Sequence, residues 1–460
     1  RRQRQMCIRD SLRTFGKRGS GILSEKTENE LTDCLLGFRY WIDEPGNDAM
    51  WFWSENHALM FHTCQLLAGE LFPDEVFTNS GLTGRQMQAK AKNMLYDWFV
   101  TFRKEGFTEW NSSPYLPIDT LGFGSLYAFA QDPAMRELGR EGMDFAYYLL
   151  AVHSQQGIFA SSSGRTYIKE QFGNWSNCPS GLSWIGYGYG VPGHAGKGIT
   201  SYCLSDYEPP KEFAQWFSIP RGKEMICQTT QGNDGYVDLY TYKTADYMMT
   251  SANDFHPGEP GHQENPFQLI FNAVAQLWVT HPGERVLFGA ARPSYWAGNG
   301  TQPKVNQYKA FAGLIYDIAP EHPVDFTHLY LPSMEFDRCE VEGKWAFVQL
   351  GSAYAAVYCS NGMRMQDFGS NKDRECIAEG RRCIWLVRAA QADEFAAFED
   401  FKAAMRGAAL DADAEGRRYR FVDPVYGELR CQWGETLYVD DAPMQYSGFD
   451  NYGKLTMQEK

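Results

Sequence analysis

The order of two hydrophobic periodicities constrains this chain most. Before about residue 155 apolar residues recur at helical spacing, and after about residue 210 they alternate in short runs between turn residues. Following Ser54, a candidate N-cap, Met60, Cys64, Leu67 and Leu71 form one helical stripe that Pro73 ends. A second stripe, after Gly84, carries Met87, Ala91, Met94, Trp98 and Phe102. Further helices are predicted around 121–131 and 135–153, and helices of this length joined by loops predict stacked antiparallel helical hairpins. Ser161 to Gly198 is rich in Gly, Ser, Tyr and Trp and reads as a long loop region. Beyond it, runs such as Val237 to Tyr242, Trp345 to Leu350 and Tyr419 to Val422 predict an antiparallel β-sandwich, interrupted by one helix near 392–405. Helices first and strands second predict an α+β chain of two segregated domains, 12–200 and 201–460.

Composition excludes several classes. With 43% hydrophobic and 22% charged residues the chain is neither disordered nor collagen-like. No apolar run is long enough for a transmembrane helix. A formal net charge of −14 is a poor basis for general nucleic-acid binding, which needs a basic footprint. The 11 cysteines are scattered without a C-x-x-C pair, so they read mostly as buried thiols and lean toward a reducing compartment. The opening segment, 1–11 (Arg1-Arg2-Gln3-Arg4-Gln5 onward), reads as translated adapter text ahead of a truncated N-terminus and is set aside.

Two segments carry candidate chemistry. In Glu55-Asn56-His57, an amide and an imidazole sit in the first turn of a helix, where free N–H groups and the dipole favour an anion. The alternative is a capping Asn beside a satisfied His. In the second segment, Gly106 to Tyr115, a loop enters a helix and places Tyr115 near its start. A phenol there can serve as acid or base in a positive environment, or simply be one more of 26 tyrosines. Aromatics make up 15% of the chain, which suits either sugar stacking or a large core. The candidates for stacking are Trp184, Tyr187 and Trp296.

Glu55-Asn56-His57 followed by Leu67-Ala68-Gly69, then Gly106, Phe107, Glu109, Ser112 and Tyr115, then Gly261-His262-Gln263-Glu264 and His281-Pro282-Gly283, resembles the pattern of heparinase II/III-like polysaccharide lyases and related alginate lyases. The resemblance covers roughly residues 30 to 360. It implies an incomplete α/α toroid of helical hairpins followed by an antiparallel β-sandwich, and cleavage of a uronic-acid-containing polysaccharide by β-elimination. Asn56 and His57 would neutralise the uronate carboxylate. Tyr115 would protonate the leaving oxygen and is also a candidate base, and His262 is the alternative base. Arg165, Tyr167 and Glu109 would contact substrate. The partner implied is an acidic polysaccharide or oligosaccharide, with no nucleic acid and no membrane, and the implied location is periplasmic or secreted.

No organic cofactor or metal is expected for this chemistry, because donors aimed at the carboxylate stabilise the enolate-like transition state. The family often has a zinc-binding His where this chain has Glu264, so the usual zinc set is not intact; Glu264 could still ligate a hard divalent metal near His262, with His256 either a further ligand or a loop residue. Two other readings stay open. A glycoside hydrolase would need two facing carboxylates among Glu55, Glu109, Asp119, Asp254 and Glu259, and a non-catalytic carbohydrate-binding protein would need none.

Overall fold

The computed structural model describes residues 10–48, 50–172, 177–192, 198–232 and 237–460. Most of the opening segment, 1–9, and parts of the Gly-rich stretch, 173–176 and 193–197, lie outside them. The chain forms two compact units. The first comprises Arg1–Lys104, Tyr115–Ala146 and Gly196–Pro209; the second comprises Glu105–Pro114, Tyr147–Ala195 and Pro210–Lys460.

The first unit is helical. Helix α1 (Glu25–Leu36) is capped by Ser24, whose side chain accepts from the Thr27 N–H. It is followed by α2 (Glu55–Leu71), α3 (Gly84–Glu105), α4 (Leu116–Phe129) and α5 (Pro133–Val152), the last ending in the second unit. Helix α2 is apolar on most sides and almost wholly buried, as a helix surrounded by neighbours must be. Glycines set how closely these helices approach. A Cβ on Gly69, late in α2, would lie 2.6 Å from the Gly84 carbonyl at the start of α3, and Gln88 Nε2 donates to the Gly69 carbonyl at 2.8 Å. A Cβ on Gly139, early in α5, would lie 2.5 Å from the Tyr127 nitrogen, late in α4. In each pair the end of one helix meets the start of the next, which makes α2–α3 and α4–α5 antiparallel hairpins. Trp98, Phe99, Phe102, Phe123 and Phe145 fill the space between them with edge and stacked contacts at 5.0–5.8 Å.

The second unit is built on antiparallel sheets. Among the described residues, a nine-stranded sheet runs from the edge strand Arg364–Met365 to the C-terminal strand Lys454–Glu459, which pairs with Lys223–Gln231. A six-stranded sheet runs from Arg338–Glu342 to Lys304–Tyr308, and a five-stranded sheet follows from Leu410–Asp413. Tyr242, Leu269 and Leu277 of the first sheet share one buried cluster with Leu314, Val357 and Ile384 of the second, so the two sheets face each other as a sandwich. Hydrogen bonds also cross the layer: the Tyr316 hydroxyl donates to the Val279 carbonyl at 3.2 Å.

Two expectations shift. The helix predicted around 121–131, α4, begins at Leu116, because Pro117 takes a first-turn position where its missing N–H costs nothing. The Gly-rich stretch is not all loop: Ser180–Tyr187 is a helix, ended by Gly188 in the left-handed region at φ 74°.

The approach at Gly69 gives a test. Gly69→Ala places a methyl against a backbone oxygen that has no room to withdraw, and denaturant unfolding should show a loss of about 1–3 kcal/mol. A stability unchanged or raised by the helix propensity of Ala would mean that α2 and α3 are not in close contact there.

Candidate functional site

In the first unit, Ser54 has the extended backbone of an N-cap but makes no side-chain cap hydrogen bond. Its hydroxyl instead donates to Asn56 Oδ1 at 2.9 Å and makes a short contact with His57 Nδ1. His57 Nδ1 lies 2.8 Å from Asn56 Oδ1, so the ring and the amide are locked together in the first turn of α2. Asn56 is 3% exposed and His57 9%. Tyr115 is half-buried and precedes α4, where its carbonyl accepts from Ile118 and Asp119 at 2.7 and 3.0 Å. A Cβ on Gly122 would come within 2.9 Å of Leu59, one turn into α2. That contact lies near the starts of both helices, so the Asn56–His57 pair and Tyr115 sit at adjacent helix N-termini.

In the second unit the segment around Arg165 is tied to the segment around Gln263. Ser163 and Asn265 exchange backbone hydrogen bonds at 2.8 Å each, and Thr166 N–H donates to the Gln263 carbonyl at 3.0 Å. A Cβ on Gly164 would lie 2.7 Å from the indole nitrogen of buried Trp110, so only glycine lets the chain pass. Arg165 therefore emerges beside Glu109 and Gln263. Its Nη2 pairs with Glu109 Oε1 at 2.9 Å and its Nη1 donates to Gln263 Oε1 at 2.8 Å. Burial pushes the Glu109 carboxyl above its ordinary value, against the opposing pull of Arg165. The Ser112 hydroxyl donates to the Arg165 carbonyl at 3.0 Å.

The exposed ring of His262 lies within the field of this arginine. Partial burial, Arg165 and Arg292 hold its pKa below the ordinary value; Glu264 and a hydrogen bond with the Arg292 backbone oppose them. The outcome is an accessible imidazole that stays neutral to lower pH than a free one, which suits a base. Beside it lies a cleft of about 500 Å³, lined in part by Tyr167, Gln263 and Arg292.

The stacking candidates part company. Trp184 is 47% exposed. Tyr187 is half-buried, with its hydroxyl on the Pro210 carbonyl at 2.7 Å. Trp296 is 2% exposed and stacked on His328 at 4.1 Å, so its indole face packs against the interior and is not free to stack on a sugar. Two residues escaped the sequence reading. Gln263 stands inside the quoted Gly261-His262-Gln263-Glu264 pattern, but an amide there carries no sign of its bond to Arg165. Arg292 had no signal, because its place beside His262 is made by folding alone.

The residues beside His262 do not form the divalent-metal site considered for His262 and Glu264. Glu264 Oε2 accepts from the His262 backbone N–H at 2.6 Å and from Gln302 Nε2 at 3.0 Å, so two N–H donors occupy the oxygen a cation would need. His256 instead contacts Glu259 at 3.2 Å. Among the described residues no cluster of three or more His, Cys, Asp and Glu is placed to hold a metal ion. No helix among them is long and apolar enough to cross a membrane.

No protein-family model matches the chain, and no curated protein matches it. Among solved structures the chain is similar to the heparan sulfate lyase HepC from Pedobacter heparinus, with 10% sequence identity and a TM-score of 0.45 over 97% of this chain and 75% of that one.

The electrostatics of His262 are directly measurable. Replacing Arg165 with Met removes a cation that disfavours imidazolium, so the ring titration followed by NMR should move to higher pH. A midpoint unmoved or lowered would mean that Arg165 does not act on His262.

Proposed function

We propose that this protein is a polysaccharide lyase that cleaves a uronic-acid-containing polysaccharide by β-elimination. The observation that carries the reading is the exposed imidazole of His262 beside the Arg165–Gln263 cluster, where the charges of Arg165 and Arg292 disfavour its protonated form. A proton next to a carboxylate is very weakly acidic, because its removal places a second negative charge on the same group. Abstraction therefore calls for a neutral base among positive charges and hydrogen-bond donors. A hydrolase needs two carboxylates free to share one acetal, and three of the five candidates here are committed elsewhere. Glu109 pairs with Arg165, Asp254 with Lys304 and Asn306, and Glu259 with His256.

On this reading Asn56 and His57 hold the uronate carboxylate at the N-terminus of α2, where the helix dipole adds to their effect. His262 takes the proton from C5. The electron pair of that C–H bond forms the C4–C5 double bond, and the C4–O bond breaks. Tyr115 delivers a proton to the departing oxygen, so the products are an unsaturated uronate and a new sugar hydroxyl. No step calls on a metal. The helical hairpins are, on the same reading, part of an α/α toroid.

The test is a panel of uronate polysaccharides assayed for the ultraviolet absorbance of the unsaturated product. Wild type should produce it from at least one polymer. Tyr115→Phe and His262→Ala should each lower turnover by about 100-fold or more while leaving sugar binding in place. Reducing ends without the unsaturated chromophore would indicate hydrolysis and refute the proposal.

A further inference from the structure

The loop that follows the strand Gln276–Thr280 folds back on itself and presents Arg292. Gly283 N–H donates to the Ser294 carbonyl at 3.1 Å, closing the base of the loop. Inside it, Glu284 Oε1 accepts from the Ala291 N–H at 3.0 Å and fixes the chain one residue before Arg292. Arg292 is exposed, and its guanidinium lies 5.9 Å from the centre of the Tyr167 ring. Among the described residues no carboxylate lies within ion-pair distance of it. That sets it apart from its cationic neighbours, since Arg165 is paired with Glu109 and Lys169 with Glu170 at 3.0 Å.

The cleft of about 500 Å³ beside this guanidinium is large enough for a sugar ring. Its walls come from Tyr167 and Ile168 on one side and from Ala290, Ala291 and Ala297 on the other, with Arg292, Lys169, Gln263 and Ser294 supplying polar groups. Among the described residues no acidic side chain lines it. Tyr167 brings an aromatic ring into this lining, the ring that the Arg292 guanidinium approaches. Apolar walls for a sugar's C–H face, an aromatic ring and one uncompensated guanidinium describe a site for an anionic sugar. Gln263 belongs both to this cleft and to the Arg165 cluster beside His262.

We infer that this cleft is a subsite for the sugar next to the one that reacts, and that Arg292 selects for an acidic group, carboxylate or sulfate, on that neighbouring sugar. The inference rests on reading His262 as the reacting centre. It narrows the substrate to polymers whose successive sugars both carry acid groups, and it places the needed positive charge locally in a chain whose net charge is −14.

The test is calorimetric binding of three oligosaccharides to wild type, Arg292→Ala and Arg292→Lys. The first is an oligogalacturonate, with a carboxylate on every sugar. The second is an N-sulfated heparan oligosaccharide, with sulfate between uronates. The third is unsulfated heparosan, whose alternate sugars are uncharged. Wild type should bind one of the two acidic probes more tightly than heparosan, and which one it prefers assigns the group as carboxylate or sulfate. Arg292→Ala should weaken that binding about tenfold or more, as loss of a charge-assisted hydrogen bond does, and should leave heparosan unchanged. Arg292→Lys should retain part of the preference. An equal loss for all three probes, no loss for any, or a wild-type preference for heparosan would overturn the subsite. All three titrations are made in a His262→Ala background, where wild type means Arg292 intact, so that binding is read without turnover, and product is assayed separately with His262 in place. Acidic-probe selectivity with no unsaturated product would therefore leave the subsite standing and refute the lyase reading. The unsaturated product with no Arg292 effect would do the reverse.

Discussion

Arg165 is gripped from two sides, by the Glu109 carboxylate and the Gln263 amide, and the chemistry proposed for the second unit depends on that grip. A guanidinium presents its donors in a rigid plane, so satisfying two partners fixes the direction of the group as well as its place. The grip is prepared by features with no chemistry of their own. Gly106, at φ 65°, turns the chain left-handed ahead of Glu109. Gly164 lets the chain cross the face of Trp110, and the paired backbone at Ser163 and Asn265 sets the register between Arg165 and Gln263. Both partners are largely buried, with about a fifth of each side chain exposed, so breaking the pair would strand a charge where water cannot fully solvate it.

The surroundings of His262 show charge arranged by local geometry against the trend of the whole chain. The chain is strongly acidic, yet the groups closest to this ring include two guanidinium groups. Glu264, the nearest acid in sequence, is turned into structure: it accepts from the His262 backbone and from Gln302, and so holds the loop instead of a cation. A Cβ on Gly261 would lie 2.3 Å from the Asn299 carbonyl, and one on Gly298 would lie 2.4 Å from that of His262. Those close approaches press the two loops together so that amide donors can reach the carboxylate. A rigidly held base loses less entropy on engaging substrate than one on a free loop.

Much of this was legible in the residues. The helical stripe ended by Pro73, and alternating runs at Val237 and Trp345, mark the change from helices to sheets because each periodicity reports one buried face. The helix Glu25–Leu36 was not read, since its polar sequence has a single buried residue, Leu35, and so little stripe to see. The Asn56–His57 pair was legible as a helix start, but the role of Ser54 was not. Its composition says N-cap, whereas its hydroxyl is drawn off by the two side chains that follow. Trp296 looked like a sugar platform because a Trp in a Gly-rich loop carries no sign of what will cover it, and here His328 does. Arg292 was invisible for the opposite reason. The lack of an acidic partner is a property of three-dimensional neighbours, and nothing in Arg292-Pro293 distinguishes that arginine from the others.

The central claim is that the His262 imidazole removes the proton. The most direct measurement is chemical rescue: His262→Gly leaves a space where free imidazole can enter and act as base. Added imidazole should restore unsaturated product from a uronate polymer in proportion to the concentration of its neutral form. A variant that keeps wild-type turnover without imidazole, or that no concentration of it revives while sugar still binds, would contradict the account.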